Sequence, residues 1–365
     1  MNYLLLLALT LTHHVTRATP PSPTPTNLRP IIGIVSQPHT STPGLSYVAA
    51  SYVKFVEMAG GRAVPLKYGD ASLAEIDTLM EGLNGVLFPG GGADITDASS
   101  PYYQFAAHIW NKAIALNDQG QHYPVWGTCL GFEFIHVMAG GPDLDILQCD
   151  FDSEDLALPL NFTGGAGGDA RAGSTLLGPL SDALYTAMST KAITQNEHKC
   201  GVPTSAYDGA SSKVKAFFDV RATNVDRKGK PFVSLVEGKD YPVYGMQAHP
   251  EKNNFEWVGG ATKIGVHETG VFGCLTLFYF GCCFILVGAQ VTSETTPIPH
   301  TLAAMQMSQY FANVFVNECR RNGNALENAT QWLFYNYSPT YTGKTGGYFQ
   351  QTYTFPIINR TAVVV

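Results

Sequence analysis

Short apolar runs alternate with longer amphipathic stretches along the first half of the chain. The short runs end in glycine or polar residues and do not alternate, which is typical of strands covered on both faces. The predicted strands are residues 31–35, 63–66, 85–88 and 125–127. The predicted helices are residues 47–58, 73–80 and 104–116, followed by a helix that begins at residue 129. This alternation predicts an α/β fold: a three-layer αβα sheet of flavodoxin-like type, mostly parallel.

The pattern changes in the second half, where apolar runs follow one another with little helical sequence between them. We interpret residues 215–220, 232–237 and 243–247 as strands of an antiparallel extension to the sheet. Residues 301–320 repeat apolar side chains at mostly helical spacing, which predicts a helix packed on the core.

The most informative local feature is a strand that breaks at Gly127, just before Cys129. A sharp turn from strand into helix would expose the thiol at a helix N-terminus, where backbone N–H groups and the helix dipole favour a thiolate. Cys129 is therefore predicted to be a nucleophile. The alternative for an isolated cysteine is a buried, inert side chain.

A second strand ends at His249, and Pro250 prevents its continuation before Glu251. Both side chains can then face one site, which gives a nucleophile, a base and a residue that orients the base. Three glycines follow the strand at residues 85–88, and the backbone N–H groups of Gly91 and Leu130 are the predicted donors of an oxyanion hole. An ordinary glycine turn and a core histidine remain the alternatives.

Taken together, these motifs resemble those of the γ-glutamyl hydrolase family, a branch of the class I glutamine amidotransferase-like superfamily. The resemblance covers about residues 30–258 and 299–325. The motifs that carry it are Gln37-Pro38, Phe88-Pro89-Gly90-Gly91, Trp126-Gly127-Thr128-Cys129-Leu130-Gly131-Phe132-Glu133, Asn196-Glu197-His198-Lys199, Tyr241-Pro242-Val243-Tyr244-Gly245 and His249-Pro250-Glu251.

The resemblance implies a cysteine peptidase that cleaves γ-glutamyl bonds of folate poly-γ-glutamates through a thioester, without a cofactor. It also implies that Glu133 and His198 contact the substrate, although a solvated glutamate and a surface histidine are the alternatives. Ala248 and Cys200 replace larger aromatic residues of the family, which puts specificity in doubt. A glutaminase of the amidotransferase type, or an inactive product of a non-native insertion, remain competing interpretations.

Composition narrows the choice of partners. The net charge is −7, only 14% of the residues are charged, and no block of basic residues occurs, which argues against nucleic acid and anionic membranes. A small-molecule substrate is expected, and a homodimer stays possible. Cys282-Cys283 lies in an apolar run without histidine pairs, so no metal site is predicted.

The N-terminal segment has the pattern of a signal peptide. Residues 4–11 are nearly all apolar and small residues follow them, so residues 1–18 are interpreted as a leader and residues 19–29 as a proline-rich linker. A secretory protein in the lysosome, the vacuole or the extracellular space is therefore expected. The predicted glycosylation sites are Asn161, Asn328 and Asn359.

One segment departs from the pattern of a single domain over residues 30–365. Residues 259–296 interrupt the resemblance, and within them Val271 to Ala289 form nineteen residues without a charge. That length permits a transmembrane helix. A single span would, however, separate the helix at residues 301–320 from the sheet it should cover, so we interpret the segment as a non-native insertion. The seven cysteines leave the pairing of Cys149, Cys200 and Cys319 open, with Cys129 expected to be free.

Overall fold

The computed structural model describes residues 27–141, 144–164, 168–209, 212–257, 298–345 and 348–358. The strands in chain order are β1 (Ile31–Val35), β2 (Gln37–Pro38), β3 (Leu45–Ala49), β4 (Arg62–Leu66), β5 (Val86–Phe88), β6 (Val125–Thr128), β7 (Ser153–Leu158), β8 (Asn161–Phe162), β9 (Thr194–His198), β10 (Phe218–Val225), β11 (Pro231–Gly238), β12 (Val243–Met246), β13 (Thr340–Tyr341) and β14 (Gln351–Pro356). The helices are α1 (Ala50–Met58), α2 (Leu73–Gly82), α3 (Pro101–Asp118), α4 (Leu130–Ala139), α5 (Asp182–Thr190), α6 (Lys213–Phe217), α7 (Lys252–Phe255) and α8 (Leu302–Cys319).

An eight-stranded sheet with the order β4-β1-β5-β6-β12-β11-β10-β8 forms the centre of the fold. The first five strands are parallel, and β11, β10 and β8 continue the sheet in antiparallel pairs. The predicted mostly parallel sheet with an antiparallel extension is confirmed. One assignment within it is wrong, because β12 belongs to the parallel part: it pairs with β6, so the strands that carry Cys129 and His249 lie side by side.

Helices cover both faces of the sheet and give the predicted three layers. The core on one face includes α1, α5 and α8, and the core on the other face includes α2, α3 and α4. Trp126 of β6 is fully buried and packs against Phe55 of α1 and against Phe311 and Phe315 of α8. This packing fixes the strand that delivers Cys129, because the interior leaves a large indole no room to move.

Two local predictions are wrong. Residues 213–217 form helix α6, because the Ser212 hydroxyl accepts a hydrogen bond from the Lys215 backbone N–H and caps the turn before β10 begins. Residues 45–49 form strand β3, so the predicted helix at residues 47–58 begins only at Ala50. The apolar run that crosses this boundary hides the change from strand to helix.

Two smaller sheets complete the fold. One has the order β13-β14-β3-β2 and joins the C-terminal segment to the start of the domain, and the other pairs β7 with β9. The β7–β9 pair carries His198 at its end.

Several predicted features lie outside the described residues: the signal peptide, residues 19–26 of the linker, the 259–296 segment and the Asn359 sequon. In the part of the chain that the structure describes, no helix is both long and apolar enough to cross a bilayer.

Candidate active site

Cys129 stands at a strained turn between β6 and α4. Its backbone has φ 49° and ψ −108°, a conformation that residues with a side chain rarely adopt. The Cys129 N–H donates to the Met246 carbonyl at 3.0 Å, which ties the turn to β12. Gly131 permits the turn, because a Cβ there would lie 2.0 Å from the Phe88 carbonyl oxygen. Strain of this kind persists where surrounding structure fixes it, often at functional sites.

His249 and Glu251 form the pair that the sequence predicts. His249 Nδ1 lies 2.7 Å from Glu251 Oε1, and both side chains are buried. When Nδ1 carries the proton and donates it to the carboxylate, the other ring nitrogen, Nε2, keeps a lone pair that can accept a proton. This is the arrangement of a general base with its orienting carboxylate.

Cys129, His249 and Tyr52 converge on one face of Gly90. A Cβ built on Gly90 would lie 2.6 Å from His249 Cε1, 2.6 Å from Tyr52 Oη and 3.1 Å from Cys129 Cβ. The Tyr52 hydroxyl also accepts the Gly90 N–H at 2.8 Å and lies 3.3 Å from His249 Nδ1. The absence of a side chain at Gly90 thus allows the thiol and the imidazole to approach each other.

The thiol is not held as a thiolate by its position at the start of α4, contrary to the electrostatic expectation from sequence. Burial raises the pKa of Cys129 well above its ordinary value, and the carboxyl groups of Glu133 and Glu251 raise it further. The Lys252 ammonium and the Leu130 backbone N–H act in the opposite direction. A proton acceptor is therefore needed to generate the nucleophile.

A pocket of about 270 Å³ opens beside the thiol. It brings together Cys129 and the four predicted oxyanion and substrate residues: Gly91, Leu130, Glu133 and His198. Its remaining lining residues are Gly92, Ala93, Asp94, Ile95, Thr96, Leu147, Glu154, Glu197, Lys199 and Cys200. The predicted site residues from three separate motifs therefore face one cavity.

Glu133 is a buried acid rather than a solvated one. Its Oε1 accepts a hydrogen bond from Gln247 Nε2 at 2.9 Å. Burial raises the pKa of Glu133 to about 7, although the Gln247 hydrogen bond acts against that change. A carboxyl group in this state can exchange a proton near neutral pH while it faces the substrate cavity.

His198 is buried at the end of β9. Its Nδ1 donates to the Cys200 carbonyl at 2.8 Å, and among the described residues its Nε2 has no hydrogen-bond partner. Burial lowers the pKa of His198 to about 4. The ring is therefore neutral near pH 7 and offers Nε2 as an acceptor. Cys200 is bonded to Cys149 in a disulfide, which settles one pairing that the sequence left open.

Gln37 supports the glycine loop that carries Gly91. Its Nε2 donates to the carbonyls of Pro89 at 3.0 Å and Gly90 at 3.2 Å. A Cβ on Gly91 would meet Gln37 Oε1 at 2.0 Å, so any larger residue there has to displace the buried Gln37 amide. The carbonyls of Pro89 and Gly90 are turned toward Gln37, and Gly91 and Leu130 both line the cavity.

Sequence reasoning missed three further residues of the site. Tyr52 contacts the imidazole, and the buried Lys252 forms an ion pair with the partly buried Glu197, with a separation of 3.5 Å between Nζ and Oε1. Lys252 directly follows Glu251, so its position next to the predicted triad was a usable signal. The sequence pattern does not distinguish Tyr52 from the other apolar residues of α1, so it could not be predicted as a site residue.

The described residues contain no group of three histidine, cysteine or acidic side chains that could hold a metal ion. The predicted glycosylation sites within them are exposed: Asn161 lies on edge strand β8, and Asn328 lies in the segment after α8.

Comparison with known proteins gives consistent similarities. The Peptidase C26 family profile matches residues 30–152. The chain is 37% identical to the γ-glutamyl hydrolase of Mus musculus over 335 residues, which are 90% of each protein. It is 35% identical to γ-glutamyl hydrolase 1 of Arabidopsis thaliana over 344 residues, 92% of this chain and 85% of that protein. The human γ-glutamyl hydrolase is 34% identical over 334 residues, again 90% of each chain.

Proposed function

This chain belongs to the γ-glutamyl hydrolase family and is a cysteine-type peptidase acting on γ-glutamyl bonds; we propose that its substrates are folate poly-γ-glutamates and that Cys129, His249 and Glu251 form its catalytic triad. The observation that carries the triad is the convergence of Cys129 and His249 on Gly90, with Glu251 hydrogen-bonded to the far side of the imidazole. These contacts support a base oriented by a carboxylate next to the nucleophile.

The reaction begins when the Cys129 thiol transfers its proton to His249 Nε2. The sulfur attacks the γ-carbonyl carbon, and the N–H groups of Gly91 and Leu130 hold the oxygen that becomes negative. His249 then gives the proton to the leaving nitrogen, the C–N bond breaks, and a thioester remains on Cys129. Water gives a proton to His249 and attacks the thioester carbonyl, the C–S bond breaks with release of the γ-carboxylic acid, and His249 returns the proton to the Cys129 sulfur. Glu251 holds the imidazole in the required tautomer throughout.

The cavity supports a γ-linked substrate because it offers separate groups to the parts of a glutamyl unit. Glu133 can accept a hydrogen bond from the nitrogen on the α-carbon, which is an amide N–H within a γ-linked chain. Lys199 lies at the rim with its side chain 66% exposed, where it can meet the free α-carboxylate of a neighbouring unit. His198 Nε2 accepts a further hydrogen bond.

Substrate linkage gives the sharpest test of this proposal. The purified chain is supplied with pteroyl-tri-γ-glutamate and with its α-linked isomer, and glutamate release is followed by amino-acid analysis. We expect release from the γ-linked compound alone. A rate on the α-linked isomer within a factor of about ten of the γ-linked rate would contradict the assignment, because one misplaced carboxylate should lower the rate by more than that factor.

We further propose that the protein follows the secretory pathway to a lysosome, a vacuole or the extracellular space. The Cys149–Cys200 disulfide supports an oxidising compartment, and the exposed side chains of Asn161 and Asn328 leave room for glycans. Expression in a eukaryotic cell followed by glycosidase treatment tests this. We expect the glycosidase to lower the apparent mass of the parent and to lower that of the double variant Asn161→Gln/Asn328→Gln by less. An unglycosylated protein retained in the cytosol would contradict the proposed secretory route.

A further inference from the structure

Lys252 is a buried cation directly beside the triad. It is the first residue of α7, its side chain is only 5% exposed, and its backbone N–H donates to the His249 carbonyl at 3.3 Å. A lysine ammonium group is rarely buried without a partner, because removal from water is costly. The partner here is a side chain on the neighbouring β9.

Glu197 holds the ammonium group in place. Its Oε1 lies 3.5 Å from Lys252 Nζ and also accepts a hydrogen bond from Gln195 Nε2 at 2.8 Å. Its Oε2 accepts the Asp155 backbone N–H at 3.2 Å. The backbone carbonyl oxygen of Glu197 lies 4.0 Å from Cys129 Sγ, so the residue that holds the lysine is also next to the thiol.

The charge around the nucleophile explains why a cation is needed. The carboxyl groups of Glu133 and Glu251 both oppose ionisation of the Cys129 thiol, and burial opposes it as well. A sulfur anion formed in such a site needs a positive charge nearby that does not have to be reorganised when the proton moves. Lys252 favours the ionised sulfur, and its position is fixed by Glu197 and by the turn that carries His249.

We propose that Lys252 is a positioning residue for the nucleophile: its ammonium group, held by Glu197, supplies the charge that stabilises the Cys129 thiolate when His249 removes the proton. This inference deepens the proposed function and rests on the assignment of Cys129 as its nucleophile. The ion pair has opposite consequences for its two members. The lysine favours the thiolate, and the glutamate weakens that effect by neutralising the lysine.

The variants described below leave the other ionisable groups around the Lys252–Glu197 pair unchanged. They act electrostatically on Cys129, on Lys252 and Glu197, or on the neighbouring Asp155, and they are Tyr47, Tyr52, Glu133, Asp155, His198, Arg227, His249, Glu251 and Glu256. Burial raises the pKa of Asp155 to about 6, with a further contribution from Glu197, so the charge of Asp155 changes at the acidic end of each pH profile. A control without the Lys252 change therefore has to accompany each profile.

The test measures the pH dependence of Cys129 alkylation by iodoacetamide, followed on the Cys129 peptide by mass spectrometry. This measurement reports the ionisation of the Cys129 thiol and does not require turnover of a substrate. The variants are Lys252→Met, Lys252→Arg, Glu197→Gln and the double variant Lys252→Met/Glu197→Gln. Lys228→Met is the matched control, because Lys228 is 70% exposed on the β10–β11 turn. Thermal melting of each variant confirms that it is folded.

We expect the alkylation midpoint of Lys252→Met to rise by about 1 pH unit, with kcat/KM for the γ-linked substrate reduced about tenfold. Lys252→Arg and Lys228→Met should keep the parent midpoint. Glu197→Gln should lower the midpoint, because the lysine charge is no longer neutralised. If Lys252→Met does not fold, the comparison of Glu197→Gln with the double variant isolates the lysine, and the double variant should have the higher midpoint.

Midpoints that stay unchanged in folded Lys252→Met and Glu197→Gln, or that move in the same direction in both, would overturn the inference. A purely structural ion pair would produce one of those results. If the predicted shifts occur in a protein that does not hydrolyse γ-glutamyl folates, the proposed function fails and the role of Lys252 stands.

Discussion

His249 and Glu251 are separated by one residue in the chain, yet their side chains meet at 2.7 Å in the interior of the protein. β12 ends at Met246, and after Pro250 the N-cap residue of α7, Glu251, already has a helical φ of −67°. The change from strand to helix turns both side chains to the same side. Both residues of the pair therefore come from one short turn, and only Cys129 has to be brought from elsewhere, by the parallel pairing of β6 with β12.

Gly90→Ala tests whether the space at Gly90 sets the approach of the thiol and the imidazole. The added methyl would meet His249 Cε1 and Tyr52 Oη at 2.6 Å and must displace them. We expect kcat to fall on the order of 10²-fold, because small misplacement of reacting groups is expensive. Gly323→Ala is the control, since a Cβ there meets nothing within 4 Å. Equal activity of both variants would show that Gly90 does not have this role.

Glu133→Gln should change how stability depends on pH. The folded protein raises the pKa of Glu133 from 4.5 to about 7, so the unfolded chain loses this proton first as the pH rises. The folded state therefore binds more protons than the unfolded chain between pH 4.5 and 7. The stabilising contribution of the protonated Glu133 is complete below pH 4.5, and the free energy of unfolding falls by about 3 kcal/mol as the pH rises through that window. Glutamine removes this contribution and can keep the Gln247 hydrogen bond.

The measurement is thermal or urea unfolding of parent and variant at pH values from 4.5 to 7.5. We expect the difference in unfolding free energy to grow in favour of the variant as the pH rises. Parallel curves for the two proteins would mean that Glu133 is ionised in the folded state without cost.

Much of the fold was predictable because its signals are local. The strand at residues 31–35 and the helices at residues 73–80 and 301–320 follow from apolar runs, and each lies within two residues of the observed β1, α2 and α8. Strand β14 was not predictable, because its pairing with β3 joins residues from opposite ends of the chain. The parallel placement of β12 was missed for the same reason: pairing direction is a long-range property.

The same distinction between local and long-range signals applies to the candidate site. Cys129, His249 and Glu251 stand in short motifs whose residue types indicate their chemistry. The protonation of the thiol, the neutral state of His198 and the raised pKa of Glu133 depend on burial by distant segments, which no local pattern reports. The Lys252–Glu197 pair likewise joins α7 to β9 and needed the structure.

Removal of the Cys149–Cys200 disulfide should cost both stability and substrate affinity. The bond closes a loop with a sequence separation of 51, for which the chain-entropy model gives about 4 kcal/mol. The Cys200 carbonyl also orients His198, so the Cys149→Ser/Cys200→Ser variant should raise KM more than it lowers kcat. Urea unfolding and steady-state kinetics measure the two effects. An unchanged KM in the folded double variant would contradict the orienting role.

Deletion of residues 259–296 should leave the domain intact. The described residues on either side already contact each other: Trp257 stacks on His300 at 4.1 Å, and Asn253 Nδ2 donates to the Pro299 carbonyl at 2.7 Å. A short glycine–serine linker can therefore join the ends without moving α7 or α8. On the interpretation of the segment as a non-native insertion, we expect a higher soluble yield and retained hydrolysis. Equal yield and equal glycan processing of both forms would count against that interpretation.

We propose above all that Cys129, activated by His249, cleaves the γ-glutamyl bond. Its most direct test is kcat/KM for glutamate release from pteroyl-tri-γ-glutamate by the parent, Cys129→Ala and His249→Ala, with melting curves to confirm that each is folded. We predict that each variant loses activity by a factor on the order of 10³ or more while the parent turns over. Substantial activity in a folded Cys129→Ala variant would contradict the assignment of Cys129 as the nucleophile.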